Sequence, residues 1–453
     1  MPRPPSNNPR PIKLPVQNPA QKRSPTQSSA QPQLPSHAPI TPARSAAFAI
    51  LVRVADTSAH SDDLLHGPAM SALSQADRNL AHTLVLGVLR WQIALDARIA
   101  PLLQRPDPLP TPVATALRMG AFQLLYLDRI PAHAALSESV ELVRAANHPH
   151  AAGMVNAILR KLTRQPPSAP KLYETTAAFA ERLAHPLWLA NRWVQNYGRT
   201  ITLALLAHDQ TEPAEASLFA HDPDLPHLDD GSRLVAELAA ASQPPAATPA
   251  DTPLRIWDTC AAPGGKTLIL AARHPTANLL ATDANPRRLQ SLTTRLEATS
   301  PQTRTLHADA TQLPETEGLF DLILCDVPCS GTGTLSRNPE IRQRLQPADL
   351  ARQATRQREI LTAALTRLAP GGHLLYSTCS LEPEENEQVI AAALAATPNI
   401  ISQPLDPVLT HLAATGLIPN AAPADLLRDG QLRTLPGANF SGDGFFAALL
   451  HRP

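Results

Sequence analysis

The chain has 453 residues, with 39 Lys and Arg against 39 Asp and Glu, for a formal net charge of zero. At about 150 residues per domain this length excludes a single small core and predicts two large domains or three smaller ones. The zero balance, taken whole, argues against a nucleic-acid partner.

The balance is uneven along the chain. The first 44 residues carry Arg3, Arg10, Lys13, Lys22, Arg23 and Arg44 and no Asp or Glu, so the remainder is mildly acidic. They also hold 12 of the 48 prolines, with Ser, Gln and Asn between them, which predicts a disordered basic tail over 1–44. Such a tail either holds RNA loosely through its phosphates or is a solvated linker; composition leaves both open. Only five residues are Lys, and the excess of Arg, Pro and Ala reads as genomic background.

Over 45–165, apolar residues at three- or four-residue spacing (Leu80, Leu84, Val88; Leu136, Val140, Val143) predict an all-helical domain. Pro101, Pro131 and the prolines of 166–170 punctuate it. Residues 166–252 read as a linker and small subdomain: a helix over Leu187 to Leu206, a polar patch around Asp222 to Asp230, and a Pro/Ala-rich stretch ending at Pro253. Over 253–453 short apolar runs alternate with helical stretches, the pattern of an α/β domain with a mostly parallel sheet. Strands are predicted at Leu254 to Trp257, Asn278 to Thr282, Arg304 to His307, Leu319 to Cys325, His373 to Ser377 and Phe445 to Leu450. Helices are predicted to begin near Gly265, Pro286, Ala348 and Pro383. No internal repeat is visible.

Four cysteines, all beyond residue 259, do not form a disulfide framework, and a reducing, cytoplasmic compartment is expected. No run approaches the roughly 18 to 20 apolar residues of a membrane span, and the Pro/Gln-rich start lacks a signal-peptide core, so neither secretion nor membrane association is expected.

The chemistry concentrates in the last domain. Asp258-Thr-Cys-Ala-Ala-Pro-Gly-Gly-Lys266 lies between a predicted strand and helix, where glycines allow a tight turn and close backbone approach. Asp283 ends the second strand, where doubly wound folds place the acid that binds ribose hydroxyls, and Asp309 follows the third. This pattern fits a nucleotide-like ligand or a mere tight turn. The fourth strand ends Leu324-Cys-Asp-Val-Pro-Cys-Ser-Gly-Thr-Gly333 and the fifth Tyr376-Ser-Thr-Cys-Ser380. Carboxyl ends of parallel strands converge on one crevice, so Asp326, Cys329 and Cys379 are expected to meet the ligand held by Asp283. Two thiols and an acid on one rim suggest covalent chemistry, whereas Cys325, inside its strand, reads as core filler. The cysteine spacing does not fit a four-thiol zinc site, and no metal is expected. Arg337, Arg342, Arg344, Arg352, Arg356 and Arg358 follow the Cys329 loop with two acids among them, either a phosphate-binding stripe or a solvated helix face.

These motifs, with Glu384-Glu-Asn386, resemble the signatures of the RNA (cytosine-5) methyltransferases of the Sun/Nop2 class. Arg118-Met-Gly-Ala-Phe-Gln-Leu-Leu125, Ile130-Pro-Ala-His133, Glu138-Ser-Val140 and Val155-Asn-Ala-Ile-Leu-Arg160 are similar to the NusB-type RNA-binding domain of the bacterial RsmB branch, and His185-Pro-Leu-Trp188 and Asp443-Gly-Phe-Phe-Ala447 fit the same branch. The resemblance implies a Rossmann-like S-adenosylmethionine-dependent methyltransferase domain behind an all-α NusB-like domain, acting as a monomer on a cytosine of ribosomal RNA of the small subunit. It further implies Cys379 as nucleophile, Cys329 in product release, and Asp326 and Lys266 at the base. Cys260, Ala261, Ala262, Pro263, Gly264, Gly265, Lys266, Asp283, Asp309 and Asp326 would bind the methyl donor. The branch's Gln-Asp element stands here as Leu228-Asp-Asp-Gly-Ser232 in a shortened region, which implies a trimmed RNA-positioning subdomain. The readings set against this are a non-catalytic RNA-binding or antitermination-type factor with a vestigial methyltransferase domain, and a nicotinamide-dependent dehydrogenase. The intact thiol pair disfavours the first, and the turn's lack of G-x-G-x-x-G spacing disfavours the second.

Overall fold

The computed structural model describes residues 39–104, 108–164, 174–213, 218–220, 222–242, 253–419 and 424–453. The tail up to residue 38, the prolines of 166–170 and the Pro/Ala stretch of 243–252 lie outside them.

Among the described residues, seven α-helices come first: α1 (Pro42–Asp56), α2 (Ser61–Leu65), α3 (Pro68–Ser71), α4 (Gln75–Ile99), α5 (Thr111–Tyr126), α6 (Ala132–Ala145) and α7 (Ala152–Leu162). The expected spacing is what buries them, since Leu84 and Val88 of α4, Leu117 of α5, Val143 of α6 and Leu159 of α7 share one core. Ser74 caps α4 by accepting from the Asp77 amide at 3.1 Å. Gly87 lets α5 cross α4 closely, because a Cβ there would stand 2.0 Å from the Phe122 ring. The helical region starts earlier than the charge pattern suggested. Arg44, grouped by sequence with the basic tail, sits in α1, is 5% exposed, and pairs with Glu138 at 3.0 Å and Gln123 at 2.6 Å.

Helices α8 (Thr176–Arg182) and α9 (Leu187–His208) follow, the second bent at Gly198, whose φ of 81° only glycine adopts freely. Phe179, Leu189 and Trp193 bury against Leu335, Leu381 and Leu435 of the later chain. The polar patch then opens a further helix, α10 (Asp230–Ala241), which the sequence reading did not anticipate. Asp229 caps it, and Leu234, Val235 and Leu238 pack on the sheet, so this stretch belongs to the α/β layer and is no linker.

The sheet is built from β1 (Arg255–Asp258), β2 (Asn278–Asp283), β3 (Arg304–His307), β4 (Phe320–Asp326), β5 (Leu368–Thr378), β6 (Ile401–Gln403), β7 (Leu427–Arg428), β8 (Gln431–Arg433) and β9 (Phe446–His451). Its order is 3-2-1-4-5-9-8-7, with β6 also on β9; strands 3, 2, 1, 4 and 5 run parallel and β9 antiparallel. All six strands read from the sequence are present. The three missed are two or three residues long, too short to show alternation. Between them lie α11 (Gly265–Arg273), α12 (Pro286–Thr299), α13 (Ile341–Arg344), α14 (Pro347–Thr366), α15 (Glu387–Ala396) and α16 (Asp406–Ala414). Ile256, Leu322 and Leu324 face α10, α11 and α16, whereas Trp257, Ile323 and Cys325 face α14 and α15. Strand order reverses between β1 and β4, and a crevice at that switch point is where doubly wound sheets take ligands.

Candidate active site

Behind β1 the chain turns through Gly264, at φ 101°, into α11; a Cβ on Gly264 would meet Leu292, and one on Gly265 would meet Leu228 of the shortened region. The turn lies against β2. Asp283 takes the Ala262 amide at 3.2 Å on one carboxylate oxygen and the Asn285 amide at 2.8 Å on the other. Arg288 and Arg295 each donate at 2.7 Å to the carbonyls of Ala262 and Pro263. A cavity of about 760 Å³ opens here, within the range of small-molecule sites. Cys260, Ala262, Pro263, Asp283 and Asp326 line it. Val327 and Ile360 add apolar wall, and Asn285 and Arg287 add polar edge. The other residues expected at the donor play supporting parts. Ala261 is core, its amide donating to Thr282 at 2.8 Å, and Gly264 and Gly265 shape the turn. Asp309 turns back onto its own loop, accepting from the Thr311 amide at 2.9 Å, and pairs with Arg356, which lines the cavity in its place. Burial raises the Asp309 carboxyl, but the Thr311 and Arg356 bonds outweigh it and hold the group below its ordinary value.

At the ends of β4 and β5 the expected residues come together. Lys266 Nζ lies 2.7 Å from Asp326 Oδ2, and Ser377 Oγ donates to Asp326 Oδ1 at 2.7 Å. Burial lowers the Lys266 ammonium, but the Asp326 charge and hydrogen bond outweigh it and hold the amine above its ordinary value. Its charge also sits 5.2 Å from the centre of the Phe445 ring, a contact that sequence reasoning missed although Phe445 lies in a quoted motif. Cys329 Sγ and Cys379 Sγ are 3.2 Å apart. The hydrogen bond to Cys379, burial, and the nearby Cys379 and Glu385 charges push Cys329 well above the ordinary thiol range, so Cys329 keeps its proton. Burial raises Cys260 to about 12 and Cys325 well above its usual value, which leaves both as neutral thiols. All four cysteines are free.

A second set of supports carried no recognisable signal in the sequence. Arg192 of α9 pairs with Glu382 and Glu384, Trp193 donates to Glu382 at 2.9 Å, and Tyr197 donates to the Leu381 carbonyl. Helix α9 thus braces the segment that follows Cys379.

The arginine stripe does not exist as a surface. Arg342, 1% exposed, donates to the carbonyls of Arg90, Ala184, Asp209 and Leu335, and burial lowers it to about 10. Arg344 caps the end of α1 through Val54 and Ala59 at 2.7 Å, Arg337 pairs with Asp443 at 3.0 Å, and Arg356 with Asp309. Only Arg352 and Arg358 of the six are exposed. The inward turn has a cause: residues 336–344 run beneath the N-terminal helices, where Ser61 donates to Glu340 and Arg90 to the Ser336 carbonyl. Among the described residues no His, Cys, Asp and Glu cluster could hold a metal ion, and no helix is long and apolar enough to cross a membrane.

Comparison with known proteins agrees with this arrangement. Residues 247–451 match the family described as 16S rRNA methyltransferase RsmB/F, and residues 41–164 match the NusB family. The ribosomal RNA small subunit methyltransferase B of Klebsiella pneumoniae is 34% identical over 425 residues, covering 84% of this chain and 92% of the relative. The protein of the same name from Xanthomonas campestris is 31% identical, covering 90% and 96%. Among solved structures, that of PH0851 superposes with a TM-score of 0.71 at 21% identity, covering 92% of this chain and all of the other, which shows a shared fold. The chain belongs to the RsmB/F family of 16S rRNA methyltransferases and carries a NusB-family helical domain in front of the catalytic sheet.

Proposed function

We propose that the protein is an S-adenosylmethionine-dependent methyltransferase that modifies carbon 5 of a cytosine in small-subunit ribosomal RNA, in the bacterial cytoplasm. The observation that carries this is the thiol pair, 3.2 Å apart, beside the Lys266–Asp326 ion pair at the carboxyl edge of β4 and β5. Together with family membership it disfavours the vestigial, non-catalytic reading.

The donor set of the cavity fits an adenosyl group. Each Asp283 oxygen already accepts one backbone amide and retains capacity for a ribose hydroxyl, while Ala262, Pro263, Val327 and Ile360 offer apolar surface. Asp283 and the Cys260 to Lys266 turn would hold the donor, with Asp326 at the methyl end and Asp309 acting through Arg356. When bound, S-adenosylmethionine supplies an electrophilic methyl group.

Carbon 5 of cytosine is a weak nucleophile. Addition of the deprotonated Cys379 sulfur to carbon 6 converts the ring to an enamine, which can take the methyl group at carbon 5. Asp326, fixed by Ser377 and Lys266, would accept from the cytosine amino group, and the Lys266 ammonium beside it would offset the negative charge that the addition places on the ring. The proton at carbon 5 then passes to solvent water, the electrons of the carbon–hydrogen bond re-form the ring double bond, and the carbon 6 to sulfur bond breaks to return Cys379. Cys329, in contact with Cys379, is assigned to this release. The base must leave its stack to enter the crevice, so the target is a loop or a flipped nucleotide.

The test is to incubate Cys329→Ala with unmodified 16S rRNA and S-adenosylmethionine. A covalent protein–RNA band on a denaturing gel is expected, with bisulfite sequencing locating the methylated cytosine under the parent enzyme. Methylation by the parent at a ring nitrogen or a ribose hydroxyl would overturn the proposal.

A further inference from the structure

Glu385 lies in the turn between β5 and α15 and is wholly buried. Its Oε1 accepts from the Ser330 amide at 2.8 Å and from Gln357 Nε2 at 2.9 Å; its Oε2 accepts from the hydroxyls of Ser330 and Ser380. Ser330 directly follows Cys329 and Ser380 directly follows Cys379. The two hydroxyls also meet each other at 3.1 Å. One carboxylate thus gathers the loops of both thiols.

The remaining contacts support the same geometry. Gln357 of α14 also donates to the Pro328 carbonyl at 2.9 Å, fixing the residue before Cys329. Tyr376 Oη donates to the Glu385 carbonyl at 2.7 Å, and Asn386 Nδ2 to the Ser380 carbonyl at 2.8 Å. Among the described residues, the Glu385 side chain receives only neutral donors. A buried carboxylate is costly without a cation, and a plain structural tie could be made by a neutral amide at lower cost. The negative charge itself therefore calls for an explanation, and Cys329 is a thiol that this charge raises.

Resting on the proposed cysteine chemistry, we infer that Glu385 is a positioning residue for both thiols: its carboxylate ties the Cys329 and Cys379 loops together and so sets the separation of the two sulfurs. Facing Cys329 are Cys379 from the end of β5, Glu385 from the following turn and Tyr376 from β5, with the Lys266–Asp326 pair beside Cys379. The Glu385 charge is among the causes that raise Cys329, after the Cys379 hydrogen bond and burial. The arrangement leaves Cys379 as the group that attacks and holds Cys329 in reserve as a thiol until release.

The experiment compares the full-length parent with Glu385→Gln and with the double variant Ser330→Ala/Ser380→Ala. Each is followed by thermal unfolding with and without S-adenosylmethionine, by iodoacetamide labelling of each cysteine against pH read by mass spectrometry, and by single-turnover methyl transfer. In Glu385→Gln the midpoint for labelling Cys329 is expected to fall by about one pH unit, because a nearby negative charge is gone. Methyl transfer should slow by roughly 10- to 100-fold through misplacement of the sulfurs, while donor binding holds. The double variant keeps the charge and should slow transfer without moving the Cys329 midpoint. Glu385→Gln with a parent labelling profile and parent transfer rate would overturn the inference. If that variant does not fold, parent-like transfer by the double-serine variant would do so. A parent that labels as expected yet methylates no cytosine would defeat the function proposed above and leave the labelling test of Glu385 standing.

Discussion

Two stretches of the catalytic half carry dense charge and were both singled out from the sequence, and they fold in opposite senses. The loops after β4 and β5 keep their reactive groups at the rim of a crevice, where Cys329, Cys379, Asp326 and Lys266 meet. The arginine-rich stretch over 337–358 turns most of its cations inward, onto carbonyls and carboxylates of the N-terminal helices and of the sheet. The difference lies in what fixes a side chain's direction. Strand-end topology brings residues such as Asp283 and Asp326 to the switch-point crevice. An arginine has a long apolar stem and five donors, so its direction depends on which surfaces fold against it.

The sharpest way to break this comparison is at the crevice. Cys379→Ala should reduce methyl transfer by about a thousand-fold or more, as expected when a nucleophile is removed. Donor binding, followed by calorimetry, should change little, because Cys379 does not line the 760 Å³ cavity. Turnover near that of the parent would sink the role assigned to this thiol.

The next effect belongs to the arginine stretch. Arg342→Met would leave four carbonyls without their donor, and unsatisfied buried groups of this kind should cost about 3 kcal/mol of stability in urea denaturation. The salt dependence of RNA affinity should stay that of the parent. A stable variant with a shallower salt slope would instead restore Arg342 to the phosphate surface that its sequence position suggested.

What was legible in the sequence follows the same division. The six strands, the α4 and α6 periodicity, the shared cavity of Asp283 and Asp326 and the meeting of Cys329 with Cys379 depend on local pattern and on strand-end topology. Helix α10 was hidden: its cap Asp229 lies in a run of Asp, Pro and His that reads as loop, and only packing of Leu234 and Leu238 on the sheet reveals it. Glu385 stood inside a recognised motif without a stated task, because its partners Ser330 and Gln357 lie 55 and 28 residues away. Arg342 and Arg344 misled because the helices that meet them, α4 and α1, are more than 200 residues distant in sequence.

Acid and base titrations sharpen the crevice side. Burial holds the Asp258 carboxyl at about 7, well above its ordinary 3.8, while Thr267 donates to it at 2.7 Å. The folded chain then keeps a proton that the unfolded chain releases. The stabilisation is fully present below the unfolded value and is lost as pH rises through 7, with a slope of up to about 1.4 kcal/mol per pH unit. Urea denaturation of the parent and of Asp258→Asn at pH 5 and pH 8 should show a smaller pH difference in the variant. Identical pH differences would mean that Asp258 ionises normally inside the fold.

The smallest effect tests what remains of the arginine surface. Arg352, on the outer face of α14, has a side chain 72% exposed and, among the described residues, pairs only with Asp349, one turn away. Such a pair contributes under about 1 kcal/mol to stability, so Arg352→Ala should unfold at nearly the parent's urea concentration. Its guanidinium is nevertheless free to meet a phosphate in a way that Arg342 is not. Loss of one phosphate contact lowers the slope of log affinity against log salt by about one. Arg352→Ala should show that drop with small-subunit RNA, whereas Arg342→Met should not. Equal slopes in the two variants would mean that exposure does not separate the RNA-facing arginines from the structural ones, and the contrast between the two stretches would then rest on the thiol loops alone.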